Sequence, residues 1–275
     1  MKSHTITGGG GIRLHIVEAG KPNGRPVLFI HGFSQCGLSW EAQLRSDLAD
    51  DYRLVAMDLR GHGLSDKPRE SYAHTRSWAD DIDSAIQSLR LDRPMLCGWS
   101  YGPLVILDYI RHFGERDISA IQFVGGVTKL GSAEARSVLT PEFLGLAPGF
   151  FSTETEESVR SLEALLRMCF AKEPSAPDLY RMLGYSVSVP PHVRRALLSR
   201  SVDNDDLLNN LRKPVFIVHG TEDKVVKVSA VDQHKAAVPH AQIHLIPHSG
   251  HAPFADDPAG FNQHLRRCIA ATPAM

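Results

Sequence analysis

The sequence predicts an α/β fold with a mostly parallel central sheet, helices on both faces and an inserted helical cap. Two observations lead to this fold class. In the first half of the chain, short apolar runs typical of buried strands alternate with helix-like segments. Past residue 126 this alternation gives way to a long helix-rich stretch, after which strand-like runs resume. Strands that alternate with helices along a chain are expected to pair in parallel, because the helix carries the chain back across the sheet.

The individual strands and helices are predicted from hydrophobic periodicity. Residues 12–19 alternate apolar and polar side chains, as a half-exposed strand does. Residues 26–31 and 53–58 are short, nearly continuous apolar runs, which suit buried strands. Further strand candidates span residues 94–99, 118–126, 214–220 and 241–247. Apolar side chains at helical spacing predict helices over 77–91 and 261–270, and a further helix after residue 100.

The helix-rich stretch determines the predicted domain organisation. Within it no run has a convincing strand pattern, and large apolar side chains recur in FLGLAPGFF (143–151) and LEALLRMCF (162–170). We therefore predict an α/β core formed by residues 1–126 and 209–275, interrupted by a helical cap at residues 127–208. Because the predicted cap is rich in large apolar side chains, we expect an uncharged, partly hydrophobic ligand rather than a polyanion.

Composition narrows the function classes. The chain has 275 residues, of which 43% are hydrophobic and 22% charged, and its formal net charge is −1. Without a basic excess, a nucleic-acid surface is not expected. No apolar run approaches the roughly 18 residues of a membrane span, and MKSHTITGGGG lacks the apolar segment of a signal peptide. We expect a cytoplasmic protein with a small-molecule partner; the oligomeric state stays open. Four cysteines without CxxC spacing are expected to be free thiols: Cys36, Cys97, Cys169 and Cys268.

The segment GWSYG (98–102) places Ser100 between a strand candidate and a helix candidate. Glycine two residues before and two residues after the serine is what a sharp strand-to-helix turn requires, since a Cβ there would collide with neighbouring backbone. Such a turn lifts the hydroxyl above the sheet edge, beside a helix N-terminus that favours negative charge. Ser100 is therefore the candidate nucleophile. The alternative is a glycine-rich turn with an incidental serine.

A serine hydroxyl needs a base to become nucleophilic, and the base needs an acid to orient it. The segment VHGTEDKVV places Asp223 directly after one strand candidate, and HSGHAPF places His251 after the next. Both loops are expected at the carboxyl edge of the sheet, beside the serine turn. Asp223 is the candidate acid and His251 the candidate base. Glu222 and His248 are the alternatives for these two roles.

Acyl transfer also needs donors for the negative oxygen of the tetrahedral intermediate, and backbone N–H groups supply them without reorganisation. Tyr101, which follows the serine, is expected to provide one amide. Phe33, which follows His31 and Gly32, is expected to provide the other, while His31 itself holds the loop. Trp40 and Trp99 are candidate lining residues of the substrate pocket.

Metal and nucleotide sites are not indicated. The fourteen histidines include no HxxxH or HxH pair beside carboxylates at metal-ligand spacing. No GxGxxG follows a strand candidate, and GxxxxGK[ST] does not occur in the sequence. We therefore expect neither a metal nor a cofactor.

Five segments together resemble the α/β-hydrolase family over nearly the whole chain. They are HGFS (31–34), DLRGHGLSDKP (58–68), GWSYG (98–102), HGTEDKVV (219–226) and GHAPF (250–254). The order Ser100, Asp223, His251 is the order of that family's catalytic residues. Within the family, the chain looks most like the serine esterases, lactone hydrolases and cofactor-free haloperoxidases with a helical cap.

The resemblance also bears on residues outside the triad. Residues Asp58, Arg60, His62 and Ser65 match a loop after a core strand and are expected to hold that loop in place. Many relatives carry a second glycine where this chain has Pro103, which is expected to alter packing and leave the chemistry intact.

The resemblance implies ester hydrolysis through an acyl-enzyme intermediate. In this family the sharp strand-to-helix turn that carries the nucleophile is called the elbow. Haloalkane dehalogenases and epoxide hydrolases of the family carry aspartate there, whereas this chain carries Ser100. A lactone hydrolase is the main alternative. A haloperoxidase-like enzyme or a ligand receptor that keeps the triad are further alternatives, because fold alone does not decide function.

Overall fold

The computed structural model describes residues 1–272, which form one eight-stranded sheet. The spatial order is β1-β2-β4-β3-β5-β6-β7-β8, and all neighbours run parallel except β1 with β2 and β2 with β4. The strands are β1 Lys2–Thr7, β2 Arg13–Gly20, β3 Pro26–Ile30, β4 Arg53–Met57, β5 Met95–Trp99, β6 Ala120–Val124, β7 Val215–Gly220 and β8 Gln242–Ile246. The predicted mostly parallel α/β sheet is confirmed.

Strand β5 lies between β3 and β6, near the middle of the sheet. All five of its residues are buried, as are the five residues of β6 and the six of β7. Burial on both faces explains why these strands have continuous apolar sequences. Because β3, β5, β7 and β8 run in the same direction, the loops that follow them lie along one edge of the sheet.

Sequence reasoning missed the first strand, β1. It pairs antiparallel with β2, from Lys2 opposite Glu18 to Thr7 opposite Arg13. Most of its side chains are exposed, because it is an edge strand. A short, polar edge strand carries little hydrophobic pattern, so its pairing is visible only in the structure.

The core helices connect the strands and complete the α/β core. They are α1 Glu41–Leu44, α2 Thr75–Ser88, α3 Gly102–Phe113, α10 Ala230–Ala237, α11 Pro253–Asp256 and α12 Pro258–Ala271, with short 3-10 turns at Gly9–Gly11, Gly37–Trp40 and Asp47–Asp50. Helix α2 begins two residues before the start of the predicted span 77–91 and ends three residues before the end of that span. The chain leaves the helix early because Arg90 has a left-handed backbone, with φ of 49°.

Six helices lie between β6 and β7: α4 Ala133–Ser137, α5 Pro141–Phe150, α6 Thr155–Met168, α7 Ala176–Val187, α8 Pro191–Leu198 and α9 Asp205–Leu208. Two backbone hydrogen bonds join the segments that enter and leave this region. Leu130 N donates to Val202 O at 2.8 Å, and Val202 N donates to Leu130 O at 3.0 Å. No helix in residues 1–272 is long and apolar enough to cross a membrane.

The loop after β4 is held by buried polar contacts. The Asp58 carboxylate accepts hydrogen bonds from Gly37 N at 2.7 Å and Leu64 N at 2.8 Å. Arg60 donates through Nε to Asp81 Oδ2 at 2.7 Å, and both side chains are almost completely buried. These contacts agree with the loop-fixing role expected for Asp58 and Arg60.

Asp81 of α2, which pairs with the buried Arg60, has a matched control in its neighbour Asp80, which pairs with the exposed Arg76 on the same helix. We expect Asp81→Asn to lower the free energy of unfolding by about 3–5 kcal/mol, because it leaves a buried guanidinium without its counter-charge. Asp80→Asn is expected to cost less than about 1 kcal/mol. Urea denaturation of the two variants measures the difference, and equal losses would contradict this assignment.

Candidate active site

Ser100 occupies a two-residue turn between β5 and α3. Its φ of 57° lies in the left-handed region, which is uncommon for a residue with a side chain. Two hydrogen bonds fix the turn: Ser100 N donates to Val124 O at 2.9 Å, and Val127 N donates to Ser100 O at 3.0 Å. The neighbouring strand β6 and the residues after it therefore hold the strained conformation.

The glycines around Ser100 are required by close backbone contacts. A Cβ on Gly98 would lie 2.8 Å from the carbonyl carbon of Gly102, and one on Gly102 would lie 2.7 Å from Ile30 O. A Cβ on Gly32 would lie 2.9 Å from Ser100 Cβ. These distances are shorter than such contacts allow, so the predicted collisions are real and the turn depends on glycine at these positions.

Pro103 contacts the chain just after β6. A Cβ on Gly126 would lie 2.6 Å from Pro103 Cγ. Pro103 occupies the first turn of α3, where its missing N–H costs no helical hydrogen bond. The departure from the family pattern thus appears as a packing contact with Gly126.

Asp223 and His251 meet at the same edge of the sheet. His251 Nδ1 lies 2.8 Å from Asp223 Oδ2, and both side chains are almost completely buried. Burial acts to raise the pKa of Asp223, but the charge of His251 and the hydrogen bonds from His219 and His251 outweigh burial and lower this pKa well below its usual range. An ionised carboxylate only accepts hydrogen bonds, so Nδ1 carries the proton. In the neutral ring, Nε2 then keeps a free lone pair.

Sequence reasoning missed a second imidazole on the same carboxylate. His219 Nε2 lies 3.1 Å from Asp223 Oδ2 and 2.9 Å from Val226 O. Both neighbours are acceptors, so Nε2 is the protonated nitrogen. The other carboxylate oxygen, Oδ1, accepts from Val225 N at 2.8 Å and Val226 N at 2.9 Å. Asp223 is thus held by four donors. The sequence places His219 four residues before Asp223, but that spacing does not determine which way the imidazole turns.

Trp99 and Gly125 position His251 from the strand side. Trp99 Nε1 donates to the backbone oxygen of His251 at 2.8 Å. Gly125 has a φ of 51°, and a Cβ there would lie 3.1 Å from His251 Nδ1 and 3.4 Å from Asp223 Oδ2. The backbone of His251 is therefore tied to Trp99, the residue that precedes Ser100.

Asp256 joins the His251 loop to the inserted helices. Its Oδ2 accepts from Gly250 N at 2.7 Å and from Ala171 N at 3.0 Å. A Cβ on Gly250 would lie 2.9 Å from Cys169 O, so the loop and the end of α6 are in direct backbone contact. The sequence carries no pattern from which this carboxylate could have been recognised.

The amides of Phe33 and Tyr101 are available as donors. Within residues 1–272, neither N–H donates a hydrogen bond to another group of the protein. Phe33 follows β3, and Tyr101 follows Ser100 at the start of α3. His31, by contrast, is occupied: Nδ1 donates to Gly32 O at 2.8 Å, and Nε2 accepts from Leu59 N at 3.0 Å. Burial lowers the pKa of His31 to about 4, so the ring is neutral and holds the loop.

Ser100 and His251 line a small cavity of about 30 Å³. No hydrogen bond joins the two side chains within the described chain, as is common in ligand-free sites. The other lining residues are Phe33, Gln35, Trp99, Phe143, Leu165, Leu166, Cys169 and Val225. The cavity is therefore mostly apolar, and four of its lining residues lie between β6 and β7: Phe143, Leu165, Leu166 and Cys169. Cys169 is one of four buried free cysteines, as predicted.

Trp40 is not among the residues that line this cavity. Its ring is completely buried, with its centroid 4.2 Å from that of Phe254 and 4.9 Å from that of Phe29. The placement of Trp40 in the substrate pocket is corrected accordingly. Trp40 follows the same loop as Phe33, but the short 3-10 turn that contains it directs the ring into the core.

The alternative acid and base lie together on the surface. His248 Nδ1 is 3.1 Å from Glu222 Oε1, and the two side chains are 87% and 46% exposed. Neither lines the cavity that contains Ser100. Among residues 1–272, no cluster of three or more His, Cys, Asp or Glu side chains has metal-ligand geometry.

Comparison with known proteins agrees with this architecture. A sequence model described as "Alpha/beta hydrolase family" matches residues 27–264. The chain is 33% identical to an esterase, RhEst1, from Rhodococcus sp. ECU1013, whose crystal structure superposes with a TM-score of 0.92 over 99% of this chain and 100% of that one.

Two curated relatives show a similar extent of likeness. The chain is 26% identical to "Epoxide hydrolase 1" of Caenorhabditis elegans, over 94% of this chain and 68% of that protein. It is 25% identical to "Pimeloyl-[acyl-carrier protein] methyl ester esterase" of Nitrosomonas europaea, over 90% of this chain and 96% of that protein. With its eight-stranded sheet, its serine turn and a family match over most of its length, the chain belongs to the alpha/beta hydrolase family.

Proposed function

We propose that this protein is a serine hydrolase that cleaves the carboxylic ester of a small, partly hydrophobic substrate through an acyl-enzyme intermediate. One observation carries the proposal. Ser100, on its strained turn, lines a small cavity together with His251, whose Nδ1 is hydrogen-bonded to the buried carboxylate of Asp223. The amides of Phe33 and Tyr101 donate to no other group within residues 1–272. The similarity to an esterase over the whole chain supports the same activity.

In the acylation step, His251 Nε2 takes the Ser100 proton while the hydroxyl oxygen attacks the ester carbonyl carbon. The Phe33 and Tyr101 amides donate to the oxygen that becomes negative. The tetrahedral intermediate collapses when His251 returns the proton to the departing alcohol. Water then attacks the acyl carbon, its proton moves to His251, and the carboxylic acid leaves with restoration of the Ser100 hydroxyl.

Asp223 acts through the histidine. Its Oδ2 holds Nδ1–H, which selects the tautomer with Nε2 free and stabilises the imidazolium that forms in each step. His219 and two backbone amides occupy the remaining lone pairs of the carboxylate. Asp223 therefore has no freedom to rotate away from His251, and His219 serves as a positioning residue.

The cavity limits the acyl group that fits beside Ser100. A volume of about 30 Å³ lined by Phe143, Leu165 and Leu166 accommodates a short, uncharged group such as acetyl. These three residues belong to α5 and α6. We infer that residues 127–208 form a cap that excludes water from the nucleophile and sets the size of the acyl group.

The nucleophile separates this reaction from epoxide opening. An epoxide is opened by attack of a carboxylate on carbon, and the residue at the elbow here is Ser100. The chemistry of a hydroxyl with an adjacent imidazole is acyl transfer. A lactone presents the same bond in a ring, so the substrate panel for this protein includes γ- and δ-lactones with open-chain esters.

Ser100→Ala and His251→Ala are each expected to lower kcat for an aryl acetate by about 10⁴-fold or more. The double variant is expected to lose no more than either single one, because the two groups act as a unit. Steady-state kinetics measure the loss, and circular dichroism verifies the fold. Multiplicative losses in the double variant would overturn the shared role.

Asp223→Asn is expected to lower kcat by roughly 10⁴-fold with little change in KM, since asparagine stabilises the wrong histidine tautomer. The matched control is the adjacent Glu222→Gln, which removes only the exposed contact to His248 and should leave kcat unchanged. Kinetics on the same ester compare the two. A large loss in Glu222→Gln with an active Asp223→Asn would move the acid to Glu222.

Leu165→Ala is expected to shift the substrate preference of the enzyme from acetyl toward butyryl and hexanoyl esters, because the smaller side chain enlarges the cavity beside Ser100. Leu162→Ala is the control: it lies one turn earlier on α6, is completely buried and does not line the cavity. The ratio of kcat/KM for butyryl and acetyl esters should rise about tenfold in Leu165→Ala only. An equal change in both variants would mean that the cap acts through stability alone.

A further inference from the structure

A second cavity lies at the opposite edge of the sheet from Ser100. Its volume is about 1100 Å³. It is bordered by residues that begin or directly precede five of the parallel strands, namely Pro26, Arg53, Met95, Ser119 and Pro214. Met95 is the first residue of β5, and Ser100 follows the last one, so the two cavities are separated by the length of a strand. We call this second site the basal cavity.

The basal cavity is strongly basic. Seven Lys and Arg side chains line it and only two carboxylates, Glu18 and Asp92, although the formal charge of the whole chain is −1. Glu18 is already engaged by Arg53 at 2.8 Å and by His4 at 2.7 Å. Asp92 is 61% exposed and lies 4.0 Å from Arg93. The lining therefore keeps a large excess of positive charge.

Helix ends explain two of these cations. Basic side chains are favoured near helix C-termini, where carbonyl groups lack partners. Arg25 follows this pattern, because its guanidinium donates to Ile269 O and to Thr272 O at the end of α12, and Arg90 directly follows the end of α2. Within residues 1–272, the side chains of Lys2 and Lys213 have no hydrogen-bond or ion-pair partner. Neither of these two lysines stands at a helix C-terminus.

Two of the arginines stand on a strained turn. Arg90 has a φ of 49° and Arg93 a φ of 44°, both in the left-handed region. That conformation costs a residue with a side chain about 1–2 kcal/mol, and glycine or asparagine would relieve it. The turn between α2 and β5 instead places two arginines at the cavity. At Arg90 this conformation is the usual left-handed end of a helix, since Leu91 N donates to Ile86 O at 2.9 Å. At Arg93 it is not part of a helix end.

We propose that the basal cavity binds a small molecule that carries two or more phosphate groups. Arginine pairs with phosphate through two parallel N–H···O contacts, and lysine adds a compact charge. Five cations face this space without a carboxylate close enough for a firm ion pair: Lys2, Arg90, Arg93, Arg212 and Lys213. A single phosphate would neutralise fewer than half of them. The concave shape suits a bound molecule better than a flat anionic membrane.

The site is independent of ester chemistry, since no residue lines both cavities. Its ligand would bind whether or not Ser100 acts as a nucleophile. Ser100→Ala is therefore expected to bind the same ligand with unchanged affinity, which separates this proposal from the proposed hydrolase activity.

The test is isothermal titration of the full chain with inorganic tripolyphosphate, with sulfate and inorganic phosphate as comparison anions. One tripolyphosphate is expected to bind per chain, more tightly than either small anion, with an affinity that falls as salt is added. Arg90→Asn/Arg93→Asn keeps a residue that tolerates the left-handed turn, and Lys2→Gln/Lys213→Gln changes a separate part of the lining. Each double variant should bind roughly tenfold more weakly or worse.

Arg69→Gln is the matched control, because Arg69 is exposed, lies outside the basal cavity and follows Pro68, which contacts His192 of α8. It should bind tripolyphosphate as the unchanged chain does. Equal binding of sulfate, or equal loss in the control and the double variants, would overturn the proposal. A further arm tests phosphate on lipid: sedimentation with phosphatidic-acid vesicles and no binding of tripolyphosphate would replace the small molecule with a membrane surface.

Discussion

Ser100 adopts a backbone conformation, with φ of 57°, that costs a residue with a side chain about 1–2 kcal/mol, and the surrounding chain is built around that cost. Gly32, Gly98 and Gly102 leave no Cβ where the turn meets neighbouring backbone. The hydrogen bond from Ser100 N to Val124 O ties the turn to the buried strand β6. Contacts with the sheet therefore offset the backbone strain of the turn that holds the Ser100 hydroxyl.

The same edge of the sheet also carries Asp223 and His251. Because β3, β5, β7 and β8 run parallel, the loops that follow them meet around one point. Trp99, the last residue of β5, donates to His251 O, so the strand that leads to Ser100 also holds the loop of His251. Asp256 connects the His251 loop to Ala171, just after α6. The helices between β6 and β7 are thus connected directly to the loop that carries His251.

Much of this arrangement could be predicted from the sequence, because continuous apolar strands and loop positions are local signals. The sequence places the loops of Asp223 and His251 at the same edge of the sheet, and the order of the family's catalytic residues selects these two over Glu222 and His248. The contact of His219 with Asp223 could not be predicted, since it depends on how a side chain turns at the end of β7. Trp40 was misplaced for a similar reason: its distance from Phe33 along the chain does not say which way the ring points. The basal cavity collects charges from segments far apart in sequence, which no local pattern reveals.

The most direct test of the proposed acyl-enzyme is to quench the protein with acid during turnover of an aryl acetate and to measure peptide masses. We predict one acetyl group on the peptide that contains Ser100, together with many equivalents of released phenol per chain. We also predict no acetylated peptide from Ser100→Ala. Acetylation of another residue, or release that stops at one equivalent, would contradict a serine hydrolase and favour a protein that only senses its ligand.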